Sequence, residues 1–244
     1  MRRLLLGMVL ALVAFAAQAG ERWMGFIQAE VEIDAQGRAS TVKLLHNRLS
    51  KAMRATLIER IRAVEFEPAV VDGQPAPAAV TISVVLGVNE LPDALQVVID
   101  DIAITVGTRK ATPPRYPMRE LERGESGMVT LRVAYDADGR VIEATPADPG
   151  ARRDAFMIAA LRAASRWQLE PQRVAGIGVA GTAIIPVLFT IADEAPEKSG
   201  SGVLRFQDGG SLNVSRRAQD QWELADSRVR VRSLEGAREA IGGS

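Results

Sequence analysis

The sequence of 244 residues contains no cysteine and a single histidine, His46. Without cysteine there can be no disulfide, thiolate nucleophile or zinc–sulfur site, and no lipid can be attached through a thiol. Lysine plus arginine equal aspartate plus glutamate, at 30 each, so the formal net charge at pH 7 is zero. That balance gives no reason to expect nucleic acid or an anionic surface as a partner.

Motifs that carry chemistry are also lacking. The sequence holds no nucleophile elbow, phosphate-binding glycine loop or cluster of metal ligands. A lone histidine such as His46, between a predicted strand and a predicted helix, is more often a surface or capping residue than a catalyst. Glu67 and Glu170 each precede a proline in the same repeated motif, and we interpret them as capping residues or partners of an arginine rather than as an acid–base pair. We therefore predict no enzyme, no catalytic residue, no metal, no cofactor and no small-molecule substrate.

The first twenty residues, MRRLLLGMVLALVAFAAQAG, have the pattern of an export signal. Arg2 and Arg3 precede an apolar run, Leu4–Ala17, and Ala17-Gln18-Ala19 fits the small-x-small cleavage rule. A helix of that run covers about 21 Å at ~1.5 Å per residue, which is short of the ~30 Å hydrocarbon layer. We therefore predict cleavage after Ala19 and export of a soluble protein, with retention at the inner membrane if the signal stays uncleaved.

Two segments, GFIQAEVEIDAQGR from Gly25 and GMVTLRVAYDADGR from Gly127, align without a gap. Apolar and polar residues alternate in both, which predicts a strand with one buried face. Aspartate followed three residues later by glycine predicts a tight turn. A second strand is then expected near Ala39–Leu45 and near Val141–Thr145, so each copy begins with a β-hairpin.

The second turn also resembles the start of a calcium loop, because Asp136 and Asp138 have the spacing of the first two EF-hand ligands. That loop needs a third oxygen ligand before its glycine, and Gly139 comes two residues too early. We interpret the turn as structural.

A helix is predicted after each hairpin. Apolar residues recur at helical spacing from Leu49 to Val64 and again from Phe156 to Trp167. Ser50 or Asn47 is expected to cap the first helix, and Asp154 precedes the second.

Each helix is followed by a proline and then by a last apolar run. Pro68 and Pro171 are expected to end the helices, because a residue before proline is pushed out of the helical region. The runs Val80–Val88 and Ala183–Ile191 are predicted strands. The order strand, turn, strand, helix, strand therefore occurs twice and predicts an α+β fold, in which each unit is a small antiparallel sheet with a helix on one face.

The second copy carries five motifs in a fixed order: a Pro-x-Tyr-Pro element, Gly-x-Val in a strand, an Asp-Gly-Arg hairpin, a helix ending in Arg-Trp, and Glu-Pro before a final strand. In this order they resemble the C-terminal domain of the energy transducer TonB over Pro113–Ile191. Arg115 precedes Tyr116-Pro117, at a position where the best-known members of that family carry glutamine.

The first copy, Gly25–Val88, is similar but has no Pro-x-Tyr-Pro element, and Phe66 stands near the position of Trp167. We interpret these two aromatic residues as core anchors, and the fold as two tandem TonB C-terminal-like domains with the first degenerate. The predicted organisation is a signal peptide at 1–19, the degenerate domain at 20–90, a connecting segment at 91–112 that adds a strand, the second domain at 113–193, and a linker and tail at 194–244. Asp208-Gly209-Gly210 would allow a hairpin in that tail, and a disordered tail is the alternative.

Pro186 lies inside the last predicted strand, where the first copy has Ser83. Because proline cannot donate to a β-ladder, such a strand normally lies at a sheet edge, and an edge can recruit a partner strand. In the TonB family such pairing captures the N-terminal motif of outer-membrane transporters. The contact residues that the resemblance implies are Arg115, Tyr116, Pro117, Ile184, Ile185, Pro186, Val187, Leu188, Phe189, Thr190 and Ile191. The alternative is an edge covered within the molecule, by the first copy, by Leu95–Val106 or by the tail.

The sequence therefore predicts a non-catalytic periplasmic protein that binds an outer-membrane transporter or another envelope protein by strand addition and takes part in energised transmembrane transport. An adaptor or modulator of the transport system fits better than the energy transducer itself, since we find neither a membrane anchor nor a long proline-rich linker. A structural or assembly factor of the envelope is the alternative. The oligomeric state stays open.

Overall fold

The computed structural model describes residues 23–45, 48–91, 94–189, 191, 201–205, 211–215 and 223–238. The strands are β1 (Trp23–Ile33), β2 (Ala39–Leu44), β3 (Glu65–Glu67), β4 (Ala69–Val71), β5 (Gln74–Ala76), β6 (Ala78–Leu91), β7 (Ala94–Thr105), β8 (Gly107–Lys110), β9 (Gly127–Tyr135), β10 (Val141–Pro146), β11 (Gln168–Glu170), β12 (Arg173–Val174), β13 (Ile177–Gly178), β14 (Gly181–Phe189), β15 (Ser201–Arg205), β16 (Ser211–Ser215), β17 (Glu223–Leu224) and β18 (Arg230–Ser233). The helices are α1 (Lys51–Arg62), α2 (Met118–Glu122) and α3 (Ala155–Ala164), with a 3-10 turn at Glu235–Ala237.

Two groups of elements have the same pairing scheme. In the first unit, β1 through β6, β1 pairs antiparallel with β2 on one side and with β6 on the other. In the second unit, β9 through β14, β9 pairs in the same way with β10 and β14. The helix α1 contacts β2, and α3 contacts β9 and β10. The alternating segments predicted as hairpins and final strands therefore form those elements, with a helix against each.

The predicted cap of the first helix is present, and Asp154 caps α3 in the same way. The Ser50 side chain accepts a hydrogen bond from the backbone N–H of Met53, and Asp154 accepts one from Met157. Each cap satisfies one of the amide donors that a helix leaves without a partner in its first turn.

The predicted role of the two prolines is wrong. The helix α1 ends at Arg62 and α3 ends at Ala164, and a short strand, β3 or β11, follows before Pro68 or Pro171. The turn glycines explain this early end, because the carbonyl of Gly37 accepts from the N–H of Phe66 in β3. The equivalent bond in the second unit joins the Gly139 carbonyl to β11. The chain therefore leaves the helix to pair with the turn, and proline only ends the short strand.

The first unit does not keep a small sheet of its own. Its strands belong to an eight-stranded sheet in which β7 and β12 both pair with β6, and β16 pairs with β1. The second unit forms a four-stranded sheet in the order β10-β9-β14-β17. Strand β8 pairs with β11, so the predicted connecting segment 91–112 supplies strands to both units. The strand expected in that segment is therefore present as β7.

The C-terminal residues also add strands. Strands β15 and β16 form the hairpin that was one of two predictions for the tail. Further on, β17 pairs with β14 and β18 pairs with β3. Leu224, Val229 and Ala237 are buried and belong to the same continuous apolar core as the residues of both units. The tail therefore packs against the first and the second unit.

Candidate protein-binding edge

Strand β14 holds the predicted contact residues, and its two edges differ. On one side it pairs with β9 along its whole length, from Gly181 opposite Tyr135 to Phe189 opposite Gly127. On the other side it pairs with β17 at two positions, Ala183 opposite Leu224 and Ile184 opposite Glu223. Among the described residues, 185–189 have no strand on this second side. Among the described residues, the edge is therefore covered by β17 at its start and has no strand beyond Ile184, and we call residues 185–189 the uncovered edge.

The hydrogen bonds of Thr182 fix which backbone groups face this outer edge. Its carbonyl accepts from the N–H of Ala225 at 2.9 Å, and its own N–H donates to Oδ1 of Asp226 at 3.0 Å. Backbone groups of alternate residues in a strand point to the same edge. Ile184, Pro186 and Leu188 therefore also turn their backbone groups outward.

The alternating direction of the backbone groups explains how a proline fits inside the sheet. Pro186 lies opposite Thr130 of β9 in a non-hydrogen-bonded pair, and the hydrogen bonds to β9 are made by the residues before and after Pro186. The N–H that proline lacks would point away from β9, so the ladder between the two strands stays complete. Beyond β17 the edge offers three backbone groups: the carbonyl of Pro186 and both the N–H and the carbonyl of Leu188.

The side chains of β14 divide by the same alternation. Ile185, Val187 and Phe189 are buried in the core. On the opposite face Leu188 is 61% exposed, beside its cross-strand neighbour Met128 at 53%. The apolar pair next to the uncovered edge would lie under the side chains of an added strand.

The Tyr-Pro motif lies at the far end of this strand. The Tyr116 ring makes edge-to-face contacts with Phe156 and Phe189, each at a centroid distance of 5.7 Å. Its hydroxyl donates to the Glu125 carbonyl at 2.6 Å. The structure therefore brings Tyr116 to β14, where it packs as a half-buried ring with its polar end already bonded.

The neighbours of that tyrosine are placed differently. Arg115 is exposed, and Pro117 is half-buried and immediately precedes α2. Ile191 is half-buried, while Thr190 lies outside the described residues. Arg115, Pro117 and Ile191 lie outside the strands.

The equivalent edge of the first unit is covered by the chain itself. Ser83, which matches Pro186, pairs with Gln28 of β1 on one side and with Ala103 of β7 on the other. Strand β7 follows β6 from Thr81 opposite Thr105 as far as Leu91. A residue at this position of β6 needs its N–H for the added strand, which agrees with serine there and proline at the uncovered edge.

The corner where β17 meets β14 is built from small and polar groups. A Cβ on Gly181 would lie 2.7 Å from the hydroxyl of Tyr135 and 3.1 Å from Oδ1 of Asp226, so a larger residue would force these side chains to shift. Ala183 has no exposed surface, and Leu224 opposite it is 5% exposed. The Tyr135 hydroxyl is buried and has no hydrogen-bond partner among the described residues. Burial raises the pKa of Tyr135, and the negative charge of Asp226 raises it further, so the hydroxyl stays a neutral donor.

The other residues singled out in the sequence are structural. Glu170 accepts two hydrogen bonds from Arg109, one of them from Nη2 at 2.8 Å, and this pairing lowers the pKa of its carboxyl group. Trp167 is buried and donates from Nε1 to the Thr112 carbonyl at 2.9 Å, and Phe66 is 1% exposed. The predicted arginine partner of Glu170 and the predicted core anchors are confirmed. His46 lies outside the described residues.

Within the part of the chain that the structure describes, no group of side chains could hold a metal ion. No helix in those same ranges is long and apolar enough to cross a bilayer. The predicted signal peptide, 1–19, lies outside them.

Residues 112–191 match the family model described as Gram-negative bacterial TonB protein C-terminal. These residues are TonB-like. Two proteins named Protein TonB, from Xanthomonas campestris pv. campestris strains B100 and ATCC 33913, are each 30% identical to the chain over 89 residues. The matched part is 36% of this chain and 40% of each relative, so the chain spans about two fifths of the curated relatives it matches. The family model confirms the resemblance predicted for Pro113–Ile191, and the two relatives agree with a TonB-like segment in this chain.

Sequence reasoning missed the residues of the β17 corner. Leu224 and Asp226 stand in a tail segment without alternation, so nothing there predicted a strand. A weak signal exists in β14 itself, because Gly181 and Ala183 are small where Ile185 and the following core residues are large. Small residues at the start of a core-facing row leave room for side chains from another strand.

Proposed function

We propose that this protein is a non-catalytic, periplasmic, TonB-like protein that binds an extended segment of an envelope protein by strand addition to β14. The observation that carries the proposal is the uncovered part of that edge, where the carbonyl of Pro186 and both backbone groups of Leu188 point outward. Unpaired backbone donors and acceptors next to an exposed apolar pair are what an added strand needs.

The first unit supports this mode of binding. Its strand β6 pairs with β1 as β14 pairs with β9, and β6 takes up an additional antiparallel strand, β7, on the equivalent edge. We propose that the first unit is a divergent copy of the TonB-like domain whose edge is filled by the chain itself. The second unit would then keep its edge for another protein.

The partner class follows from the TonB likeness of residues 112–191. We propose the N-terminal segment of an outer-membrane transporter as the added strand, and a role in energised transport across the envelope as adaptor or modulator. Arg115 and the exposed face of Leu188 would contact the side chains of that segment. Export through the predicted signal peptide, with cleavage after Ala19, would place the protein where such a segment is accessible.

The proposal is tested by a pair of substitutions at one residue. Leu188→Pro removes only an outward N–H, so the sheet should remain intact, while Leu188→Ala keeps that N–H and shortens the side chain. For a synthetic peptide copied from a transporter N-terminus, titrated calorimetrically, we expect Leu188→Pro to weaken binding about fivefold or more relative to Leu188→Ala, the effect of about 1 kcal/mol per backbone hydrogen bond. Equal affinities of the two folded variants would refute pairing at this edge.

A structural or assembly role is the second candidate, and the pairing of β14 with β17 favours it because that part of the edge already serves internal packing. This candidate predicts that the transporter peptide binds neither the parent protein nor either variant.

A further inference from the structure

The covered part of the β14 edge shows how this strand accepts another one. The tail segment Glu223–Asp226 approaches it antiparallel. The N–H of Ala225 donates to the Thr182 carbonyl, and the N–H of Thr182 donates to the Asp226 carboxylate. The described strand of this segment is Glu223–Leu224. The pairing is therefore the same kind of interaction as the proposed partner binding, made by the chain itself.

Two side chains of the tail segment contact the corner where it meets β14. Leu224 is opposite Ala183, and its side chain is almost completely buried. Asp226 lies beside Gly181, next to the buried hydroxyl of Tyr135 that has no partner among the described residues. The corner thus accepts a large apolar side chain and, two residues later, a carboxylate that meets a backbone N–H and stands near a neutral phenol.

Without the tail segment, the outer edge would be longer and better supplied with hydrogen-bonding groups. The N–H and carbonyl groups of Thr182 and Ile184 would join the outward backbone groups of Pro186 and Leu188. Together with the Tyr135 hydroxyl, the four groups of Thr182 and Ile184 would give a partner five more donors and acceptors. A partner restricted to the uncovered residues has only three backbone groups to bond. A strand of ordinary length therefore has to displace the tail segment in order to pair along the whole edge.

We propose that the tail segment Glu223–Asp226 is an internal ligand of the β14 edge, and that the protein's partner displaces it with an extended segment in which a large apolar residue is followed two positions later by an acidic one. This inference rests on the proposed strand addition. The partner's affinity is reduced in proportion to the fraction of molecules in which the edge is open, so an edge that is open about one tenth of the time binds about tenfold more weakly. A tethered segment competes effectively because its local concentration is on the order of millimolar.

The test uses the full chain and a peptide of its own residues 221–228, QWELADSR, as the probe. Leu224→Asp should release the tail segment, because a charged group replaces a buried apolar one. Asp226→Ala is a milder second variant that removes the acceptor of the Thr182 N–H. Arg228→Ala changes an exposed neighbour and is the matched control.

Amide hydrogen exchange without peptide tests release of the tail directly. In Leu224→Asp the amides of Thr182 and Ile184 should exchange at least about tenfold faster than in the parent protein. The amides of Ile185 and Val187, which face β9, should be unchanged and show that the sheet is intact. Unchanged exchange at Thr182 and Ile184 in both tail variants would overturn the inference.

Peptide binding then separates this inference from the proposed function. We expect QWELADSR to bind Leu224→Asp at least about tenfold more tightly than the parent protein or Arg228→Ala, and the same peptide with aspartate in place of leucine to bind none of them. Equal binding to parent and variant would overturn the internal ligand while leaving strand addition in place. If the edge amides are exposed but neither QWELADSR nor the transporter peptide binds, strand addition itself is wrong. If only the transporter peptide binds, the apolar–x–acidic requirement is wrong.

Discussion

Replacing Pro186 with alanine should strengthen partner binding while slightly destabilising the fold. Alanine restores an N–H that points to the uncovered edge, since Pro186 and Thr130 form a pair that makes no hydrogen bonds with each other. An added strand would gain one backbone hydrogen bond, about 0.5–1.5 kcal/mol, or a roughly two- to twelvefold lower Kd. The unfolded chain gains freedom when proline is lost, which costs roughly 0.4–1 kcal/mol of stability.

The opposite signs of the two effects make the experiment discriminating. Calorimetric titration with the transporter peptide gives the affinity, and urea unfolding gives the free energy of unfolding. Pro113→Ala, at an exposed position outside the strands, is the matched control and should leave the affinity unchanged. An unchanged Kd in a folded Pro186→Ala protein would show that no partner pairs at this residue. A loss of stability well above 1 kcal/mol would show that the backbone nitrogen of Pro186 does not point to the outer edge.

Two further predictions concern the fold that holds the edge. Gly139→Ala should lower the free energy of unfolding by more than about 2 kcal/mol, because φ is +85° and the added Cβ would lie 2.0 Å from the Leu169 carbonyl oxygen. The control Gly124→Ala, with φ of +68° and open space around it, should cost only about 1 kcal/mol. Equal losses of the two variants in urea unfolding would contradict the steric argument. Glu170→Gln should cost up to about 1 kcal/mol near neutral pH, since Arg109 lowers the pKa of Glu170 and the stabilisation is fully present above the ordinary pKa of 4.5. That difference should vanish as the pH falls through the lowered pKa, and a difference that persists in acid would show that packing, not charge, is lost.

Local chemistry made the elements of the second unit predictable. The Asp-Gly turn could be recognised because Gly139 must take a positive φ, and Asp136 accepts backbone hydrogen bonds from the turn that follows it. The start of α3 was predictable from Asp154, since a capping side chain acts on the amides next to it. Each of these signals acts over a few residues, so a single sequence contains it completely.

The coverage of the edges was not predictable. Leu224 pairs with Ala183, and nothing in the sequence between these residues indicates which strand the tail segment will pair with. The same limit applies to Val174, whose strand β12 joins the sheet of the first unit. Register between distant strands depends on the placement of whole elements, which alternation and turn residues do not determine. The proline at 186 indicated an edge, but only the structure shows how much of that edge is covered.

The most direct test of the account is amide hydrogen exchange at Leu188 in the full chain, with and without the transporter peptide. In the free protein this amide points to the uncovered edge and should exchange quickly, while the amide of Val187, bonded to β9, exchanges slowly. We expect saturating peptide to slow exchange of the Leu188 amide at least tenfold, the effect of a bond worth about 1.4 kcal/mol, and to leave the exchange rate of the Val187 amide unchanged. Peptide binding that leaves the Leu188 amide as fast as in the free protein would contradict strand addition at β14.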